Sequence, residues 1–242
     1  MRILIISDIH ANLTALEAVL ADAGQIDAAW CLGDLIGYGP DPNDCVQRVR
    51  ELANLKCIIG NHDAAVLNHI DVDTFNPEAR QAIEWTGKAL NDGSLSFLRS
   101  LPEKITTGPV TLSHGSPRHP VWEYLLDTRT ATLNFEHFET PFCFVGHTHL
   151  PIIYHLNNGT HTAHMDIPEP GTKKLLKPRA ILNPGSVGQP RDRDARASYA
   201  IYENEENTWE YCRVAYDIPA VQERMTAAGL PARHIQRLSA GW

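Results

Sequence analysis

Apolar and polar positions divide the chain into short alternating blocks. Between Met1 and Ser7, Ile3, Leu4, Ile5 and Ile6 form one unbroken apolar run, which predicts a strand buried on both faces. Leu13, Leu16, Val19 and Leu20 then recur at helical spacing, with Asn12 placed to cap that helix and Gly24 to stop it. Ala28–Leu32 predicts the next strand, the stretch around Cys45, Val46, Val49 and Leu52 a second helix, and Lys56–Ile59 a third strand. Strands and helices alternating in this way indicate an α/β sheet with right-handed crossovers.

From Ala64 to Leu98 the pattern is helical, and Asn76-Pro77-Glu78 opens a helix through Ala79, Ile83 and Leu90. Strands resume at Ile105–Thr107 and Val110–Ser113, residues 117–140 read as helical and irregular, and Phe142–Val145 is a very apolar strand. Beyond His149 the chain is strand-rich. Ile152–Leu156 and Thr160–Met165 flank the hairpin turn Asn157-Asn158-Gly159. Ala180–Leu182, Ser198–Tyr202 and Trp209–Val214 are further strands, Asn204–Asn207 is a polar turn, and Pro219–Ala228 predicts a terminal helix. Nothing marks a boundary, so the expectation is one domain over residues 1–242. It would hold two packed sheets and a mostly helical insertion at about 64–100.

Lys plus Arg number 21 against 29 Asp plus Glu, a formal charge of −8, and mean hydropathy is −0.26. That balance argues against holding a long nucleic acid by bulk positive charge. Cys31, Cys45, Cys57, Cys143 and Cys212 are scattered without paired spacing and read as free thiols in a reducing compartment. Neither a signal peptide nor a membrane span fits the start, which leaves a soluble cytoplasmic protein, monomeric or homodimeric, as the expectation.

The chemistry gathers where strands end. Asp8 and His10 follow the first strand, Gly33-Asp34 the second, and Gly60-Asn61-His62-Asp63 the third. His114 and then Gly146-His147-Thr148-His149 follow two later ones. In an open α/β sheet such ends converge on one crevice. Asp8 and His10, and likewise His147 and His149, stand two apart, which on extended backbone puts each pair on one side. Nitrogen and oxygen donors without a thiolate suit a pair of divalent ions, Mn²⁺, Fe²⁺, Zn²⁺, Co²⁺ or Ni²⁺. Two such ions outweigh Asp8, Asp34 and a bridging hydroxide by one positive charge, which attracts a phosphoryl group.

These blocks, in this order, resemble the calcineurin-like metallophosphoesterases: Asp-x-His, Gly-Asp, Gly-Asn-His-Asp, His and Gly-His-x-His. The stretch Asn183-Pro184-Gly185-Ser186-Val187-Gly188-Gln189-Pro190-Arg191 is similar to the small bacterial and archaeal phosphodiesterase branch. The resemblance implies a four-layer α/β/β/α sandwich with two packed mixed sheets. It also implies that Asp8, His10 and His149 hold one metal, that Asn61, His114 and His147 hold the other, and that Asp34 bridges them. His62 would then serve the leaving-group oxygen, oriented by Asp63, while hydroxide held between the ions attacks in line.

Substrate-side candidates are Tyr38, in the Gly- and Pro-rich loop 33–42, and Arg118 and Arg191. Seven basic residues between Lys173 and Arg196 face only Asp192 and Asp194, and they read either as a steering patch or as a solvated loop laced with ion pairs. The expected activity is hydrolysis of small organic phosphates or nucleotides, with phosphodiesters favoured. The alternatives are a dinucleoside polyphosphate hydrolase, a protein phosphatase or a non-catalytic scaffold.

Overall fold

The computed structural model describes every residue except 158, so Asn158, on which the expected hairpin turn is centred, lies outside the described residues. The first sheet has the order β3 (Lys56–Cys57), β2 (Ala28–Cys31), β1 (Arg2–Ile6), β11 (Ala197–Glu203), β12 (Thr208–Val214) and β9 (Lys173–Leu175). The second runs β4 (Lys104–Thr107), β5 (Val110–Ser113), β6 (Phe142–Phe144), β10 (Ala180–Pro184), β7 (Pro151–Asn157) and β8 (Thr162–Asp166). Both are mixed: β1, β2 and β3 are parallel to one another, as are β5, β6 and β10, and the remaining neighbours are antiparallel.

Strand alternation sorts the apolar runs into layers. Ile3 and Ile5 point between the sheets, where they join Trp30, Phe144, Tyr202 and Trp209. Leu4 and Ile6 face the other way, with Leu16 and Val19 of α1 (Leu13–Ala23) and Val46 and Val49 of α2 (Pro42–Arg50). The far face of the second sheet, with Cys143, Tyr154 and Ile181, is covered by Ala131 of α6 (Thr128–Asn134) and by Phe135 and Phe138. Three apolar interfaces between four layers give the α/β/β/α sandwich. Strands buried on both faces are the reason for their unbroken apolar runs.

A fourth apolar cluster lies beside the sandwich. Ala65 of α3 (Asn61–Val66) and Ala79 and Ile83 of α4 (Pro77–Ala89) pack with Val221 and Met225 of α7 (Ile218–Ala227), Leu238 of α8 (Ala232–Ala240) and Tyr38. Leu98 of α5 (Asp92–Arg99) returns to the first sheet. Asn12 caps α1 as expected, its side chain accepting from the Ala15 amide at 3.1 Å. β3 is shorter than the sequence predicts: the Ile59 amide leaves the ladder and donates to the Pro102 carbonyl at 3.0 Å. β9 and α8 are elements that the apolar pattern does not predict. Among the described residues no helix is long and apolar enough to cross a membrane.

Candidate metal centre

The carboxyl ends of β1, β2 and β3 meet those of β5 and β6 along one rim of the sandwich. The ligand loops are not extended there. Asp8, His10, Asp34, His147 and His149 all have left-handed backbone, with φ between 49° and 66°. This corrects the alternation argument for Asp8/His10 and His147/His149: the pairs are brought inward by tight turns, not by strand pleat. Such backbone costs energy for non-glycine residues and persists where neighbours hold it. Here the loops are stitched together. The Asp8 amide donates to the Gly33 carbonyl at 3.0 Å and the His10 amide to the Asp34 carbonyl at 2.9 Å. A side chain at Gly60 would lie 2.1 Å from Asp34 Oδ1, so only glycine lets these loops approach.

Two triads of buried donors, Asp8–His10–His149 and Asp34–His114–His147, are joined by a third, His10–Asp34–His62. In the first, His149 Nε2 lies 3.4 Å from Asp8 Oδ1 and 3.1 Å from His10 Nε2. In the second, His114 Nε2 lies 3.4 Å from Asp34 Oδ2 and 3.0 Å from Asn61 Oδ1, which brings Asn61 into the group. Asp34 Oδ2 is also 3.6 Å from His10 Nε2, so this carboxylate stands between the triads.

Backbone carbonyls fix the tautomers. His10 Nδ1 donates to the Ile36 carbonyl (3.2 Å), His149 Nδ1 to that of Gln189 (2.5 Å), and His114 Nδ1 to that of Leu32 (2.7 Å). A carbonyl only accepts, so each Nδ1 carries hydrogen. Burial holds the His10 and His149 rings well below the usual histidine range, hence neutral, and leaves two bare Nε2 lone pairs aimed at one point. A cation relieves that arrangement, and neutral imidazoles with carboxylates are what a divalent ion takes. His114 behaves differently. Burial works against its charge, yet the charge and hydrogen bond of Asp34, with Asp8 behind, raise it to about 9. A divalent ion beside Asp34 would displace that proton. The residues therefore fit a dinuclear divalent-metal site.

His62 lies beside the first triad, its ring 4.9 Å from that of His10 and 4.4 Å from that of Tyr38. Burial pushes it down to about 4. Asp63 does not orient it, contrary to the expectation. The Asp63 carboxylate accepts from the amides of Gly60 (3.0 Å), Ile36 (3.2 Å) and Leu35 (3.3 Å), and among the described residues His62 Nδ1 has no hydrogen-bond partner. The physical reason is local. Asp63 sits on the first turn of α3, where its side chain folds back to the Gly60 amide as a helix cap.

The Asn183–Arg191 stretch supports both triads. Asn183 Nδ2 donates to the Gly146 carbonyl (2.7 Å) and to Thr148 Oγ1 (3.0 Å), and Ser186 Oγ donates to the Asp8 carbonyl (2.8 Å). Its sequence stood out only by resemblance, because the groups it braces lie far away along the chain.

The centre opens into a cavity of about 250 Å³ lined by Asn61 and His62, the rings of Tyr38, Phe75, Trp122 and Tyr124, and the guanidinium groups of Arg191 and Arg237. Tyr38 and Arg191, two of the substrate-side candidates, both line it. Arg118 does not line this cavity; it forms a two-point ion pair with Glu123. Both the extended residues of the 117–127 loop and the pairing five positions apart escape periodicity arguments. Arg237 was missed because α8 was. Three of the seven residues of the basic stretch form ion pairs: Lys173 with Glu203 (2.5 Å), Lys174 with Asp166 (2.6 Å) and Arg196 with Asp194 (2.6 Å).

A model of the calcineurin-like phosphoesterase superfamily domain matches residues 1–207, and the chain belongs to that family. Its fold is similar to the crystal structure of a metallophosphoesterase from Sphaerobacter thermophilus. That protein is 50% identical, with TM-score 0.92 over 100% of this chain and 99% of the other. The chain is also 40% identical to an uncharacterized protein of Methanocaldococcus jannaschii, over 99% of this chain and 98% of that one. A shorter similarity, 30% identity over 101 residues, reaches the symmetrical bis(5′-nucleosyl)-tetraphosphatase of Pectobacterium atrosepticum. It spans 35% of this chain and 36% of that enzyme. Family, fold and ligand geometry together define a dinuclear metal-dependent phosphoesterase.

Proposed function

We propose that the chain hydrolyses phosphodiesters of small organic phosphates or nucleotides. The observation that carries this reading is the pair of buried triads joined by Asp34 and opening onto a cavity of about 250 Å³. Asp8, His10 and His149 would hold one ion and Asn61, His114 and His147 the other, with Asp34 bridging. Two divalent ions bound there supply Lewis acidity to the phosphoryl oxygens and an activated water.

The chain's own groups supply the rest. His62, neutral at physiological pH and buried at the cavity side, donates its ring N–H toward the departing oxygen. Asp63 and Ser186 hold the loops that carry the ligands. Arg191 faces the non-bridging oxygens, and the aromatic rings exclude water from the leaving portion. The cavity suits a small phosphate better than a phosphorylated protein chain, because Phe75 and Trp122 wall it. Five free cysteines, four of them buried, suit the cytoplasmic setting proposed for the protein.

The test is a hydrolysis panel with metal-reconstituted protein. Its substrates are an aryl phosphodiester, an aryl phosphomonoester, 2′,3′- and 3′,5′-cyclic nucleotides and a dinucleoside tetraphosphate. Metal-dependent turnover with diesters ahead of the monoester supports the proposal; a monoester preference overturns the diester assignment.

A further inference from the structure

Arg237 belongs to α8, which lies beyond residues 1–207, the span the family model matches. The helix is nonetheless seated on the site. The His234 ring packs 4.3 Å from that of Tyr38, and Leu238 is buried in the same cluster. Its end is tied to the loop that carries Arg191. The Gly241 amide donates to the Arg237 carbonyl (2.8 Å), and the Gly241 carbonyl accepts from the Arg193 amide (2.6 Å). Gly241 has φ +64°, and a side chain there would lie 2.9 Å from the Asp194 backbone. A left-handed glycine at the helix end thus fixes the two arginines relative to each other.

Both guanidinium groups line the cavity beyond His62, and among the described residues no carboxylate lines it with them. Among the described residues neither forms an ion pair, and the Nε of each is buried without a partner. Arg191 has only the Gln189 side chain (3.1 Å) and the Tyr38 hydroxyl (3.4 Å) as partners. In a chain of net charge −8, two like charges held together without a counter-ion call for an anion. Planar guanidinium forks match phosphate oxygens. Across the opening, Phe75 meets Trp122 edge to face at 4.9 Å, and Trp122 and Tyr124 remain 37% and 44% exposed. Exposed rings beside a basic pair are a platform on which a flat heterocycle stacks.

We propose that Arg237 joins Arg191 to hold a second phosphoryl group of the substrate, so that the preferred phosphoester belongs to the nucleoside polyphosphate class. Arg237 is then the specificity-determining residue of the site. The inference rests on the phosphoester reading above, yet it has its own readout.

That readout is calorimetric titration of the metal-loaded protein with AMP and with the methylene analogue of ADP, which resists cleavage between its phosphates. The analogue should bind at least about tenfold tighter than AMP, the worth of one or two charge-assisted hydrogen bonds. Arg237→Gln should collapse that ratio to about twofold, and Arg237→Lys, which keeps the charge without the fork, should give an intermediate ratio. Arg233→Gln, on the same helix but paired 3.8 Å from Glu78, should leave the ratio intact. Equal binding of the two ligands by the unsubstituted protein, or an unchanged ratio in Arg237→Gln, overturns the proposal. An equal fall in Arg233→Gln makes the effect one of helix integrity and also overturns it. A persistent ratio in a protein that hydrolyses none of the panel would instead sink the hydrolytic reading and leave the clamp standing.

Discussion

His10 and His149 aim their Nε2 atoms at each other across 3.1 Å, while each Nδ1 is committed to a backbone carbonyl. Two neutral imidazoles held lone pair to lone pair repel, and a shared cation turns that repulsion into ligation. The consequence is a dependence of stability on metal. With free metal a thousandfold above Kd, binding adds about 4 kcal/mol. His149→Ala should therefore lower the melting temperature strongly in the metal-loaded protein and little in the stripped one, as scanning calorimetry would show. Equal losses in both states would mean that the pair is ordinary core packing.

Asp63 and His62 separate into two roles. Asp63→Asn places an amide against backbone N–H donors from Gly60, Leu35 and Ile36, leaving at least one buried donor unpaired at a cost of about 1–3 kcal/mol. It should lower the melting temperature and weaken metal binding, because the same loops carry Asp34 and Asn61. His62→Ala should keep both ions by elemental analysis and lose roughly 10²-fold in kcat. Were Asp63→Asn to keep metal and stability while losing only kcat, Asp63 would act through His62 after all.

Glu123 gives a pH signature. Burial raises its pKa, but hydrogen bonds from Arg118, Asn134 and Ser116 outweigh that and hold it down to about 2. A depressed carboxyl contributes stability that is fully present above the ordinary value of 4.5 and lost as pH falls toward 2. The stability difference between the unsubstituted protein and Glu123→Gln should be constant from pH 8 to about 5 and shrink below 4.5. Urea melts across that range measure it. A difference that grows on acidification would contradict the assigned direction.

The sandwich was legible because its strands are buried on both faces, so Ile3–Ile6 and Phe142–Val145 announce themselves as unbroken apolar runs. The clustering of Asp8, His10, Asp34, His114, His147 and His149 was legible too, because each belongs to a block at a strand end. Less visible was anything set by tertiary pairing. The left-handed turns at Asp8 and His147 leave no periodic trace. Arg118 is taken up by Glu123, a pairing that no periodic pattern displays. α8 has Ile235 and Leu238 as its only large apolar residues and buries His234 beside them, so its helical stripe is thin and Arg237 stayed hidden. Asp63 shared a motif with His62, and proximity in sequence stood in for a contact that the helix cap forbids.

The central claim is that two ions joined by Asp34 carry the hydrolysis. It is tested most directly by titrating Mn²⁺ or Zn²⁺ into stripped protein while following turnover of an aryl phosphodiester. Activity should rise to a plateau at two equivalents per chain, and Asp34→Asn should bind the ions more weakly and lose more than about tenfold in kcat/KM. A plateau at one equivalent, or an Asp34→Asn protein with unchanged stoichiometry and turnover, would contradict the account.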